Sequence, residues 1–214
     1  MAIGSCRGDT NKQRIVSDYK LIPLAHVKLL NGQQLSGCCG PVQDRYYHFE
    51  ATLKAGGPSE AFVVGYDCAE QLLKLIGHPK LHLFNPLSAI GGQGGGGGGA
   101  VAAGAGGANV NNPKNLMGPL NAEMYDAIHL LCMAWNTTPK EPLRRMLEYL
   151  NNSPTQPTDD AYVVRFNRIL GRDSKGRTLT QMIADLQTLN PTIRAFTFPE
   201  INAVLTKKNE ASRI

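Results

Sequence analysis

Cys38-Cys39-Gly40, Tyr46-Tyr47-His48-Phe49 and Val63-Val64-Gly65-Tyr66-Asp67-Cys68-Ala69 all fall between residues 38 and 69. Soft, deprotonatable ligands recur there at intervals that suit a metal-clamped hairpin followed by a helix. Tyr46 to Leu53 is aromatic and rich in strand formers, Ala55-Gly56-Gly57-Pro58 breaks it, and Ala61 to Val64 resumes it. That pattern predicts two antiparallel strands. Asp67 can cap a helix with the apolar face Leu72, Leu73, Leu75 and Ile76, stopped by Gly77-His78-Pro79. Upstream, the apolar run Ala25 to Leu30 ends in the turn dipeptide Asn31-Gly32, which predicts a hairpin through Gln33-Gln34-Leu35. Residues 1–90 therefore read as a small α+β domain.

Zinc takes about four ligands in a tetrahedron, and thiolate with imidazole is a common set. Cys39-Gly40 would form the knuckle, His48 would come from a strand, and Cys68 from the start of a helix. A helix N-terminus favours the thiolate, because its free N–H groups stabilise negative charge. The expected metal set is Cys39, His48 and Cys68, with Cys38 or Cys6 completing it and zinc as the cofactor. The competing reading keeps Cys39 and Cys68 as buried thiols with no metal. Five cysteines, an odd number with two adjacent, argue against a disulfide framework and for metal binding or burial in a reducing, cytoplasmic setting.

Cys39-Gly40, Arg45-Tyr46, His48, Val64-Gly65, Cys68-Ala69 and Leu72 together resemble a small zinc-ribbon or treble-clef-like module of uncharacterised bacterial, phage and plasmid proteins. The resemblance covers about residues 36–76. It departs from the pattern at Ser36, where the first cysteine of Cys-x-x-Cys would fall. It implies a zinc-held fold and a phage or mobile-element context.

From Gly91 to Ala108 the chain is almost wholly glycine and alanine, with an unbroken glycine run from Gly94 to Gly99. Glycine loses much backbone entropy on ordering and brings no side chain to bury, so residues 91–115 are expected to be a disordered tether. A coil of about 25 residues spans roughly 25–30 Å, enough for the flanking parts to move independently. A phosphate cradle would need Lys-Ser/Thr after the glycines, and none follows.

Residues 116–214 read as an all-α bundle. Leu120 to Trp135 is apolar on most sides and should be the central buried helix. Thr138-Pro139-Lys140-Glu141 has the form of a capping box opening a helix through Leu150. Thr158-Asp159-Asp160 should open a helix ended by Gly171, with both carboxylates serving its first turn. Thr178 to Leu189 should form another helix, and Phe198-Pro199-Glu200 a short last one to Leu205. His129 and Cys132 lie three apart on the central helix and read as packing residues rather than as a nucleophile with its base. His78 and His82 read as loop residues, and His26 has no evident partner in sequence.

The 214 residues carry a net charge of +5. Residues 1–90 hold nine Lys/Arg against seven Asp/Glu, and 116–214 hold twelve against ten, so neither half is a polybasic tail. No apolar run reaches the ~20 residues of a membrane span, and no membrane partner is expected. Arg165, Arg168 and Arg172 share one helix face, and Lys175 with Arg177 extends it, a pattern suited to phosphate contacts. The expected function is a non-enzymatic binding or adaptor role with nucleic acid as ligand. A protein–protein adaptor that ignores nucleic acid is one alternative. A metal-dependent nuclease or hydrolase is the other, since Cys39, His48 and Cys68 alone would leave zinc one open position.

Overall fold

The computed structural model describes residues 3–87 and 117–214, and the expected tether lies outside them. The chain is mixed α and β, with the strands in the first segment and helices filling the second. Helix α1 (Asp9–Asp18) leads into β1 (Tyr19–Lys28), followed by β2 (Leu35–Gly37), β3 (Gly40–Val42), β4 (Arg45–Leu53) and β5 (Ser59–Gly65). Helix α2 (Tyr66–Leu75) and β6 (Leu83–Phe84) complete the first segment. The second holds α3 (Pro119–Ala134), α4 (Leu143–Asn152), α5 (Asp160–Leu170), α6 (Leu179–Leu189) and α7 (Pro199–Lys207).

The main sheet runs β5-β4-β1-β6, antiparallel except for the β1–β6 pair. The turn at Asn31-Gly32 forms, with Gly32 at φ 77°, but β1 does not pair with β2 across it. The ten-residue β1 takes the nine-residue β4 as its partner, while β2 folds back on β3 through Cys38-Cys39. A long partner satisfies many more backbone groups than the three residues of β2 could.

The sheet is buried on both faces, and one irregularity changes which face the odd-numbered residues of β1 take. Tyr19 and Leu21 point to the side covered by α1 and α2, where they meet Ile15, Tyr47, Phe49, Ala51, Leu72 and Leu73. Ala25 and Val27, of the same parity, join the opposite core with Tyr46, Phe84 and helix α3. Strand side chains alternate faces, so this is allowed only because the β1–β4 register shifts between Pro23 and Ala25, with Leu24 as the extra residue. Leu24 is itself buried, and its carbonyl oxygen accepts a hydrogen bond from Asn151 Nδ2 at 3.1 Å. Arg144 Nε of α4 meets the buried Glu50 of β4 at 2.9 Å. The two segments thus share a hydrophobic core instead of folding as separate bodies.

The bundle follows its sequence signals closely. Thr178 and Gln181 form a reciprocal capping box on α6, and Asp159 caps α5 by accepting from Ala161 N at 2.8 Å. Helix α4 begins later than its capping pattern suggests, at Leu143. Pro142 disfavours helical backbone at Glu141, so the turn from Thr138 to Glu141 stays outside the helix. Helix α1 carries no strong apolar periodicity, with only Lys12 and Ile15 buried, and its sequence does not announce it. No helix among the described residues is long and apolar enough to cross a membrane.

Deleting Leu24 would make the β1–β4 ladder continuous, with Pro23 opposite Phe49 and Ala25 opposite His48, so Ala25 and Val27 would still face α3. The deletion variant and Leu24→Ala are both expected to keep the fold, each losing about 2–5 kcal/mol with the buried Leu24 side chain. Thermal melts followed by circular dichroism check both, and loss of the cooperative transition in the deletion variant would show that the extra residue itself is required.

Candidate metal centre

The β2–β3 hairpin turns through Gly37-Cys38-Cys39-Gly40, and glycine is required at both ends. A Cβ on Gly37 would lie 2.9 Å from the Gly40 carbonyl oxygen and from Val42 Cγ2, while Gly40 sits at φ 125°. Cys38 N donates to the Val63 carbonyl at 2.8 Å, which moors the turn on β5. The N-terminal arm crosses beneath this turn. Ile3 and Cys6 are buried, and Arg14 Nη2 donates to the Ile3 carbonyl at 2.9 Å.

Here the sulfurs converge. Cys6, Cys38 and Cys39 present Sγ atoms within 4.8 Å of one another. Cys6 and Cys39 are joined in a disulfide that links positions 33 residues apart, and Cys38 Sγ donates to the Gly4 carbonyl at 3.2 Å. Burial pushes the Cys38 thiol above its ordinary range. The odd cysteine count therefore does not prevent a disulfide: Cys6 and Cys39 pair, and Cys38, Cys68 and Cys132 stay as thiols, the last buried in the other core.

The other two expected ligands are placed differently. Cys68 lies in the first turn of α2 and packs on the same core as the trio. Its charge would reach Cys38, but its sulfur stands outside the close group. His48 belongs to the opposite face of β4. It sits between Tyr47 and Phe49, which face α2, and its ring meets Tyr46 edge-on at 5.2 Å beneath α3. Strand alternation separates His48 from the sulfurs, and no spacing rule read along the chain could reveal which face it takes. Cys6 carried a weak signal, a cysteine between Gly4 and Gly8 in an otherwise polar arm.

The basic stripe divides into used and unused cations. Arg177 grips the buried Asp173 through Nη2 at 2.9 Å and Nε at 3.1 Å, and reaches Asp185 at 2.7 Å. Trp135 Nε1 donates to the same Asp173 carboxylate at 2.8 Å. The Arg177 guanidinium holds the Asp173 carboxyl well below the usual carboxylate range. Arg168 pairs with Glu210 at 2.6 Å. Arg165, Arg172 and Lys175 are exposed and make no ion pair among the described residues. On α3, burial pushes the Cys132 thiol up to about 12, so it stays protonated and packs as an apolar group.

A family model described as uncharacterised conserved protein UCP028583 matches residues 4–212. The chain belongs to that family. No curated protein and no solved structure matches it.

Two buried histidines make stability depend on acid. His26 lies between the rings of Tyr47, at 4.1 Å, and Tyr66, at 5.6 Å. Burial lowers both His26 and His48 from 6.5 to about 4. The unfolded chain takes up these protons near 6.5 and the folded one only near 4. Their contribution is therefore complete above about 6.5 and is lost as pH falls toward 4. Urea unfolding at pH 5 should give a stability about 2–4 kcal/mol below that at pH 7, and His48→Phe should remove about half of the difference.

Proposed function

We propose that the protein is a non-enzymatic binding protein whose N-terminal arm is fastened by a thiol centre, and that this centre takes up zinc when reduced. The observation that carries the reading is the convergence of Cys6, Cys38 and Cys39 within 4.8 Å. In a tetrahedral zinc–thiolate site with bonds of about 2.3 Å, neighbouring sulfurs lie about 3.8 Å apart, so small side-chain movements suffice. Two electrons and two protons from a thiol reductant open the Cys6–Cys39 bond. Zinc then replaces the thiol protons. Cys68, at a helix start against the same core, is our choice for the fourth ligand. His48 is not, since it lies on the other face of its strand. Either form of the centre holds the arm to the hairpin. The buried, protonated Cys132 supports packing rather than nucleophilic chemistry at the His129–Cys132 pair.

Protein reduced and purified with zinc should retain about one ion per chain by elemental analysis, and Cys6→Ser or Cys39→Ser should lose it. Metal-free reduction should cost about 3–4 kcal/mol, the chain-entropy value for a loop of this length. Reduced wild type that holds no zinc would defeat the metal reading and leave the disulfide as the clamp.

Nucleic acid as ligand is favoured by the exposed Arg165, Arg172 and Lys175. Arg168 and Arg177 are committed to Glu210, Asp173 and Asp185, so the contact would rest on three cations instead of five. Changing those three to glutamine should abolish salt-dependent binding to oligonucleotides in fluorescence anisotropy, with a slope near three lost phosphate contacts. No binding by wild type at low salt would instead support a protein partner.

A further inference from the structure

Behind the sheet face that carries Tyr46 and His48 lies a cleft of about 420 Å3, closed above by His129, Cys132 and Met133 of α3. Its size falls within the range of small-molecule sites, roughly 300–1,000 Å3. The apolar part of the wall is Ala25, Val27, Leu35, Val63, Met133 and the protonated Cys132, and Gln33, Gln34, Asn136, Thr137 and Thr138 add uncharged polar groups. Lys28 is the only Lys, Arg, Asp or Glu among the lining residues, and its ammonium is already paired with Asp44. The cleft therefore has no free formal charge with which to hold an ion.

His48 is 5% exposed, and no hydrogen bond joins its ring to another described residue. Its nitrogens are not among the fully buried atoms without a partner, so the ring opens onto the cavity and is available to a hydrogen-bonding ligand there. His48 also lines a second cavity of about 450 Å3, whose wall includes Ile3, Gly4 and Cys38 of the fastened arm and hairpin. The ring thus stands where the two spaces meet, together with Val63 and Thr138.

We propose that this cleft binds a neutral, mainly apolar small molecule bearing a hydroxyl group, and that His48 recognises the hydroxyl. A neutral imidazole has one donor and one acceptor nitrogen, and a hydroxyl can satisfy either. A carboxylate or ammonium ligand would have to shed its hydration with no counter-charge to meet it. The apolar part of the wall supplies affinity and the His48 imidazole supplies orientation. The proposal does not rest on the zinc reading, because His48 stands outside the close group of Cys6, Cys38 and Cys39.

The test uses the full chain with its disulfide intact and two probes of nearly equal shape, 1-naphthol and naphthalene, titrated by isothermal calorimetry or intrinsic fluorescence. Wild type should bind both saturably, with 1-naphthol tighter. His48→Phe keeps a ring of similar size but cannot hydrogen-bond. It should weaken 1-naphthol about tenfold and leave naphthalene unchanged. Val63→Phe, which fills the cleft from a half-buried position, should weaken both. The ring nitrogen resonances of His48 should shift on adding 1-naphthol and not on adding naphthalene. Failure of folded wild type to bind either probe would overturn the proposal. So would equal losses for the two probes in His48→Phe, because recognition of the hydroxyl would then play no part.

Discussion

Burial of the main sheet on both faces is the constraint on which the rest of the architecture depends. β4 serves both cores by simple alternation, with Tyr46 in one and Tyr47, Phe49 and Ala51 in the other, whereas β1 carries the extra residue Leu24. With it, Tyr19 and Leu21 serve one core while Ala25 and Val27 serve the other. The same shift places His26 against Tyr47 and brings Ala25 beside His48. Asn151 satisfies the Leu24 carbonyl, so the irregularity also fixes where α4 docks.

Burial on both faces gives the sheet's polar residues distinct roles. Glu50 is compensated by Arg144, which joins strand to helix. His26 is enclosed by aromatic rings and contacts the Leu81 carbonyl at 3.3 Å. His48 lines both cavities. On the outer side, the hairpin, the arm and the cysteine trio form a fastening whose inner wall is also the wall of the second cavity. The thiol centre and the cleft are therefore mechanically adjacent though chemically unlike.

Local signals in the second segment were legible because they are short-range. Thr178 with Gln181, Asp159 before Ala161, and Gly171 after Leu170 act within a single helical turn, and the helices begin and end close to where those residues say. The β4–β5 hairpin was equally plain, with Ala55 to Pro58 between two strand-forming runs. Helix α1 was not, because a polar helix held mainly by Ile15 leaves little periodicity to read. The pairing of β1 was misread as well, since Asn31-Gly32 marks a turn without naming the strands that flank it. In the stripe, helical spacing placed Arg165 and Arg168 together on α5, but Arg172 lies beyond the end of that helix, and Arg177 is taken by a buried Asp173.

By itself the sequence determined the residue classes, the strand and helix periods, and the cysteines available for a soft metal or a disulfide. These follow from side-chain chemistry and from hydrogen bonds that close within a few residues. Only the tertiary structure decided that Cys6 joins Cys38 and Cys39, that His48 leaves that group, and that the two segments share a core. The first turns on where the N-terminal arm packs, and the other two on which face of a strand a side chain takes. One inserted residue reverses that choice, and nothing local in the chain records which face will be covered.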